Sequence, residues 1–142
     1  ILDGELLHAL KFAAERGVDV SIIMPGIPDK KSAYYLAKTY YPTLLASGVK
    51  IYEYTPGFVH AKIFVSDNSR AVVGTINLDY RSLYHHFECA TYLYRTSSVV
   101  SIEEDFQATK AKCHRVSVAE IENLPFHQKA LGLLTRLVAP LM

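Results

Sequence analysis

The sequence predicts a single α/β domain, and three observations carry that prediction. Apolar residues at helical spacing alternate along the chain with short β-branched runs. Turn signals, Pro25-Gly26, Gly48 and Pro56-Gly57, separate the runs. The 142 residues, 50% hydrophobic and 20% charged, supply one real core and exclude both disorder and a second full domain. A formal net charge of +1 argues against a partner held mainly through nucleic-acid phosphates. Neither a spanning apolar run nor a signal-peptide pattern is present, so the chain itself is expected to be soluble. It starts at Ile1 directly in a helical pattern, which suggests a piece of a longer protein.

The elements follow in order. Leu6, Leu7, Leu10, Ala13 and Ala14 mark an amphipathic helix over Gly4–Arg16, closed by Gly17. Val18–Met24 reads as a buried strand. Ser32 is positioned to cap a second helix through Tyr40, interrupted at Pro42 and ended at Gly48. Val49–Tyr54 is the next strand, and His60–Ser66, Ala71–Ile76 and Glu88–Arg95 form the expected centre of the sheet. Ser97 opens a third helix through Ala111, Ser117 and Glu120 have capping-box spacing, and an amphipathic tail helix is expected at about 125–139, broken at Pro140.

The chemistry concentrates in His60-Ala61-Lys62, then Asp67, then Gly74-Thr75-Ile76-Asn77. Side chains two apart on a strand share a face, about 6.5 to 7 Å apart, so His60 and Lys62 should project together. A two-residue turn at Asn68-Ser69 would set Asp67 opposite Arg70, Thr75 opposite Lys62 and Asn77 opposite His60. Ala61, Ile63, Val65, Val72 and Ile76 would then face the core; a slip by one residue would bury Asn77 instead. A His, a Lys, a Thr and an Asn around one point suit a phosphodiester: cation and amide donors hold nonbridging oxygens while a neutral imidazole attacks phosphorus, with no metal and no cofactor required. A carboxylate on the second ring N–H would fix the tautomer, and Glu88 is the candidate.

The string HAKIFVSDNSRAVVGTIN resembles the H-x-K-x4-D-x6-G-[ST]-x-N motif of the phospholipase D superfamily. Its surroundings, GVDVSIIMPGIPDKK, GVKIYEYTPGFVHAK and GTINLDYRSLYHHFE, are similar to bacterial cardiolipin synthases. The resemblance implies a phospholipase D-like α/β/α sandwich half with a mixed central sheet, comprising the catalytic domain and C-terminal half of a longer chain. It implies that His60 is phosphorylated or protonates the leaving alcohol, that Lys62 and Asn77 hold phosphate, that Asp67 orients, and that Glu88 supports the histidine. The implied activity is transfer of a phosphatidyl group between two phosphatidylglycerol molecules through a phosphohistidine. Such enzymes need two facing motifs, and this chain carries one, so alone it should be inactive unless it dimerises. The implied partners are a phospholipid substrate, the N-terminal half of the parent or a second copy, and a membrane surface. The parent would sit at the bacterial inner membrane through segments outside this chain. The rival readings are a one-motif phosphodiesterase or nuclease active as a homodimer, disfavoured as a nuclease by the charge, and a noncatalytic partner-binding half.

Other residues admit plainer roles beside functional ones. Lys30, Lys31, Tyr34 and Tyr35 could line an entrance for an anionic headgroup, although a solvated loop is the simpler reading. Arg81 could shape the pocket or tie a loop to its own backbone. His85 and His86 lack the carboxylate and cysteine company of a metal site, and Cys89 and Cys113 read as reduced, buried thiols. Tyr52 and Tyr54, and Tyr92 and Tyr94, alternate in strands as sheet packing or interfacial side chains rather than as a base-stacking array. The tail's Phe126, Leu133, Leu134, Leu137, Val138, Leu141 and Met142, with Lys129 and Arg136 between, could lie on a membrane, with packing on the domain the favoured expectation.

Overall fold

The computed structural model describes residues 2–139, so Ile1, Pro140, Leu141 and Met142 lie outside the described residues. Helix α1 spans Gly4–Glu15, capped by the Asp3 carboxylate, which accepts the Leu6 amide at 2.8 Å. Strand β1 (Ser21–Pro25) follows, then α2 (Lys31–Lys38) and α3 (Tyr41–Ala46). The N-cap of α2 is Lys30 without a side-chain cap, so the capping role expected of Ser32 is corrected: the helix begins before it. Pro42 occupies the first turn of α3, where its missing N–H costs nothing, and it starts a helix there.

Strands β2 (Lys50–Tyr54), β3 (Ile63–Ser66), β4 (Arg70–Gly74) and β5 (Ala90–Tyr94) lead to α4 (Ser97–Lys110), β6 (Cys113–Arg115), α5 (Val118–Glu122) and α6 (Phe126–Leu137). A π-helical turn over Arg81–His85 lies between β4 and β5. Strand β6 was not foreseen; three residues, two of them exposed, give no alternation to read. The Ser117–Glu120 capping box of α5 is present in both directions.

The strands divide into two hydrogen-bonded sheets of three, ordered β1-β2-β6 and β3-β4-β5. The first is mixed, with β1 parallel and β6 antiparallel to β2; the second is antiparallel throughout. Helix α4 lies against β2 of the first sheet and all three strands of the second. The main core forms around the first sheet, where Leu36, Tyr40, Tyr41, Leu44, Val49, Ile51, Val116 and Ile121 are buried. Complete burial of Leu36 or Ile51 contributes about 1.5–3 kcal/mol each. Within this core Glu53 is also buried, and it is satisfied: Tyr41 donates to it at 3.2 Å, Tyr34 at 3.3 Å, and Lys38 pairs with it at 3.4 Å. Tyr34 is thereby committed to the interior network and not to a headgroup entrance.

The β3–β4 register differs by one residue from expectation. Ser66 pairs with Arg70 and Ile63 with Val73, and the Gly74 amide bonds the Lys62 carbonyl at 3.2 Å. Asp67 and Asn68 both take positive φ, 52° and 50°, and the Ser69 amide closes the turn on the Ser66 carbonyl at 3.1 Å. Asp and Asn tolerate this left-handed geometry, so the turn centres on them and Ser69 becomes an extra residue, its carbonyl taken by the Arg95 amide at 2.7 Å. Lys62 therefore stands opposite Gly74, not Thr75, and Val72 shares a face with Phe64 and Tyr92 instead of with Ile63 and Val65. Both cysteines are free, but Cys89 is exposed and Cys113 only half-buried, which corrects the expectation of buried thiols.

Candidate active site

The expected strand from His60 begins three residues late, so His60 and Lys62 sit on the irregular lead into β3. His60 is exposed, and its ring stacks on Phe58 with centroids 5.7 Å apart and planes 19° from parallel. The Lys62 ammonium turns back to donate to the His60 carbonyl at 2.6 Å. This bond fixes the cation beside the histidine without any strand pairing of the two side chains. Partial burial lowers the Lys62 pKa from the ordinary lysine value, while the carboxylates of Glu88 and Asp79 oppose that shift.

Thr75, just beyond β4, is held by the chain entering β5. Its amide bonds the Cys89 carbonyl at 3.0 Å, its hydroxyl accepts the Cys89 amide at 3.1 Å, and the same hydroxyl donates to the Glu88 carboxylate. Gly74 makes this approach possible. A Cβ there would run into the Cys89 carbonyl oxygen and lie 2.6 Å from the Ala90 Cα. Glu88, expected to open a strand and hold the imidazole, precedes β5 and engages Thr75 instead. Hydrogen bonds from Thr75 and then Ser82 hold its carboxyl below the ordinary range, helped by the charges of His86 and Lys62.

The structure thus gathers Lys62, Thr75 and Glu88, with His60 exposed at the edge. Asn77 is exposed on the segment after β4. Asp67 sits at the far tip of the hairpin, where its carboxylate accepts the Ser66 hydroxyl at 3.0 Å. Arg81 begins the π-helical turn, and its backbone carbonyl accepts the His86 amide at 2.9 Å. Among the described residues, no group of three or more His, Cys, Asp and Glu forms a cluster able to hold a metal ion. No helix of the described residues is long and apolar enough to cross a membrane.

Sequence reasoning missed three members of this surround. Ser82 is buried, hydrogen-bonds Glu88, and through its amide bonds the Asp79 carboxylate at 2.8 Å. The Asp-x-x-Ser spacing of a helix cap was the available signal. Phe58 gave no signal beyond its place two residues before His60. Farther along the same turn, Tyr84 donates to Asp3, and that bond pushes its hydroxyl up to about 12.

A family model described as "Cardiolipin synthase, PLD-like domain" matches residues 1–110. The chain belongs to this cardiolipin synthase family of phospholipase D-like domains. An uncharacterized protein of Streptococcus mutans is 62% identical over the full chain, which covers 31% of that relative. A cardiolipin synthase of Alkalihalophilus pseudofirmus is 40% identical over all 142 residues, covering 28% of its length. This phospholipase D-like domain therefore spans about a third or less of the relatives it matches. A crystal structure of a phospholipase D family member from Salmonella typhimurium superposes with a TM-score of 0.70 at 21% identity, over 82% of this chain and 76% of that one. That likeness confirms the mixed α/β fold expected from the sequence.

Proposed function

We propose that the protein to which this domain belongs is a phosphatidyltransferase that makes cardiolipin from two phosphatidylglycerol molecules. The observation that carries the reading is the convergence of Lys62, Thr75 and Glu88 beside an accessible His60 in a chain of this family. In the first step a nitrogen of neutral His60 attacks the donor phosphorus, the bond from phosphorus to the glycerol oxygen breaks, and the departing glycerol takes a proton from the facing motif. In the second step the hydroxyl of another phosphatidylglycerol attacks the phosphohistidine, its proton passes to that same facing group, and the N–P bond breaks. Lys62 neutralises charge on the nonbridging oxygens, and Asn77 supplies a further donor. Thr75 is occupied with Glu88 and Cys89, so it holds the carboxylate near the cation and has less capacity to bind phosphate directly. The roles of the two histidines can exchange, with His60 as acid and the facing one as nucleophile.

The facing motif comes from another part of the parent chain, and that parent acts on a membrane. Labelled phosphatidylglycerol given to the full-length protein should yield labelled cardiolipin and free glycerol. Absence of cardiolipin removes the claim.

A second reading draws on the open site. His60 is exposed, and the aromatic residues Phe58 and Phe87 stand beside the motif at 57% and 106% exposure, a face that a second copy could cover. A dimer by ultracentrifugation, with chelator-resistant, His60-dependent hydrolysis of a chromogenic phosphodiester, would favour it. An inactive monomer would favour the two-motif parent.

A further inference from the structure

The π-helical turn over Arg81–His85 inverts the usual pattern of burial. Ser82 is buried at 7% exposure, while Leu83 and Tyr84 beside it stay exposed. A buried serine flanked by exposed apolar side chains finds its reason in hydrogen bonds, because burying a polar group is costly unless it is paired. Its amide donates to Asp79 at 2.8 Å and its hydroxyl donates to Glu88, so both of its donors end on carboxylates. The same two carboxylates face Lys62 and oppose the lowering of its pKa by burial. One residue thus joins both counter-charges of the cation. The turn that carries it is held from three places. The Asp79 carbonyl accepts the Leu83 amide at 2.9 Å, the Arg81 carbonyl accepts the His86 amide at 2.9 Å, and Tyr84 donates to the Asp3 carboxylate that caps α1.

We propose that Ser82 is a positioning residue for the phosphate-binding cation: it holds the Glu88 carboxylate, and with it Asp79, toward the Lys62 ammonium beside His60. It acts through these carboxylates and touches no substrate. A carboxylate held by Thr75 alone can swing about that one contact. Thr75 lies at the end of β4 and Ser82 on the π-helical turn, so the two hydroxyls fix Glu88 from separate elements. The groups facing Glu88 are Thr75, Ser82, His86 and Lys62, and those facing Lys62 are Glu88, Asp79 and the His60 carbonyl. With Glu88 in place, the ammonium keeps its charge for the nonbridging oxygens. With Glu88 released, burial acts on Lys62 with less opposition, and its pKa falls further. The inference rests on the reading of Lys62 as the group that holds phosphate. The titration of Lys62 needs no turnover, so the two can fail separately.

Ser82→Ala removes one oxygen and adds no bulk, so the 142-residue chain should keep its circular dichroism and melt within about 5 °C of wild type. NMR titration of the Lys62 side chain should show its pKa lowered by about half a unit or more. In a Glu88→Gln background Ser82→Ala should add no further shift, because the effect passes through that carboxylate. In the full-length protein Ser82→Ala should reduce kcat/KM for phosphatidylglycerol by about tenfold and move the basic limb of the pH profile down with Lys62. Ser82→Thr, which restores the hydroxyl, should return both toward wild type. Asp79→Asn keeps an acceptor for the Ser82 amide and removes one charge facing Lys62, so it should also lower the lysine pKa; it decides the matter if Ser82→Ala fails to melt cooperatively. The inference is overturned if Lys62 titrates as wild type in Ser82→Ala, if the shift persists in full in the Glu88→Gln background, or, where Ser82→Ala is unfolded, if Asp79→Asn leaves Lys62 unmoved. If the full-length wild type makes no cardiolipin while Lys62 shifts as stated, the phosphatidyltransferase reading fails and the positioning role stands.

Discussion

Gly74→Ala should destabilise the domain and disrupt the candidate site through one displacement. The added Cβ would lie 2.6 Å from both Ala90 Cα and Ala90 Cβ and closer still to the Cys89 carbonyl oxygen. Carbon atoms normally rest about 3.5–4.0 Å apart, so the start of β5 must retreat by about 1 Å. The obstacles are mostly backbone and cannot rotate away. That movement breaks the 3.0 Å bond from the Thr75 amide to the Cys89 carbonyl and the 3.1 Å bond from the Cys89 amide to the Thr75 hydroxyl. Overpacking costs about 1–3 kcal/mol and a lost hydrogen bond about 1 kcal/mol, partly offset by about 0.4–1 kcal/mol from the stiffer unfolded chain. A net loss of about 2–5 kcal/mol should lower Tm by roughly 6–20 °C for a domain of this size. Calorimetry on the chain measures it. A Tm within about 2 °C of wild type, with the Glu88 carboxyl titrating as before, would refute the claim that glycine is required by the approach of β4 to β5.

Further outcomes follow from the same geometry. Thr75→Val removes the first of the hydrogen bonds that depress Glu88, so NMR titration of its carboxyl should show a rise toward the ordinary value of 4.5. The sign for stability follows: Glu88's contribution is complete above that unfolded value and is lost as pH falls through the lower folded one. Thermal melts should show a weaker acid dependence in Thr75→Val. Glu53→Ala strands the Tyr41 and Tyr34 hydroxyls and the Lys38 ammonium, and should cost about 2–4 kcal/mol in urea denaturation. Glu53→Gln, which keeps an acceptor, should cost clearly less; equal losses would deny that the two tyrosine hydroxyls need an acceptor there. His60→Ala, an exposed substitution, should leave stability within about 0.5 kcal/mol while abolishing cardiolipin formation by the full-length protein. Retained turnover would favour the noncatalytic reading.

The sequence by itself determined the α/β class, the helices α1, α4 and α6, the approximate strands and the identity of the motif residues. Those features are local: apolar period, glycine and proline punctuation, and short fixed spacings are written in consecutive residues. The family likeness in HAKIFVSDNSRAVVGTIN was legible for the same reason. What only tertiary structure decided was which side chains meet. A turn centred on Asp67-Asn68 rather than Asn68-Ser69 moved the hairpin by one residue, and a one-residue shift in a strand exchanges faces. The contact of Thr75 with Glu88 depends on how closely β4 and β5 approach across Gly74, a matter of interstrand distance between residues 13 apart in sequence. The meeting of Tyr41 and the half-buried Tyr34 on the buried Glu53, and the third partner strand β6, arise likewise. Each depends on long-range packing, which a pattern of neighbouring residues cannot encode.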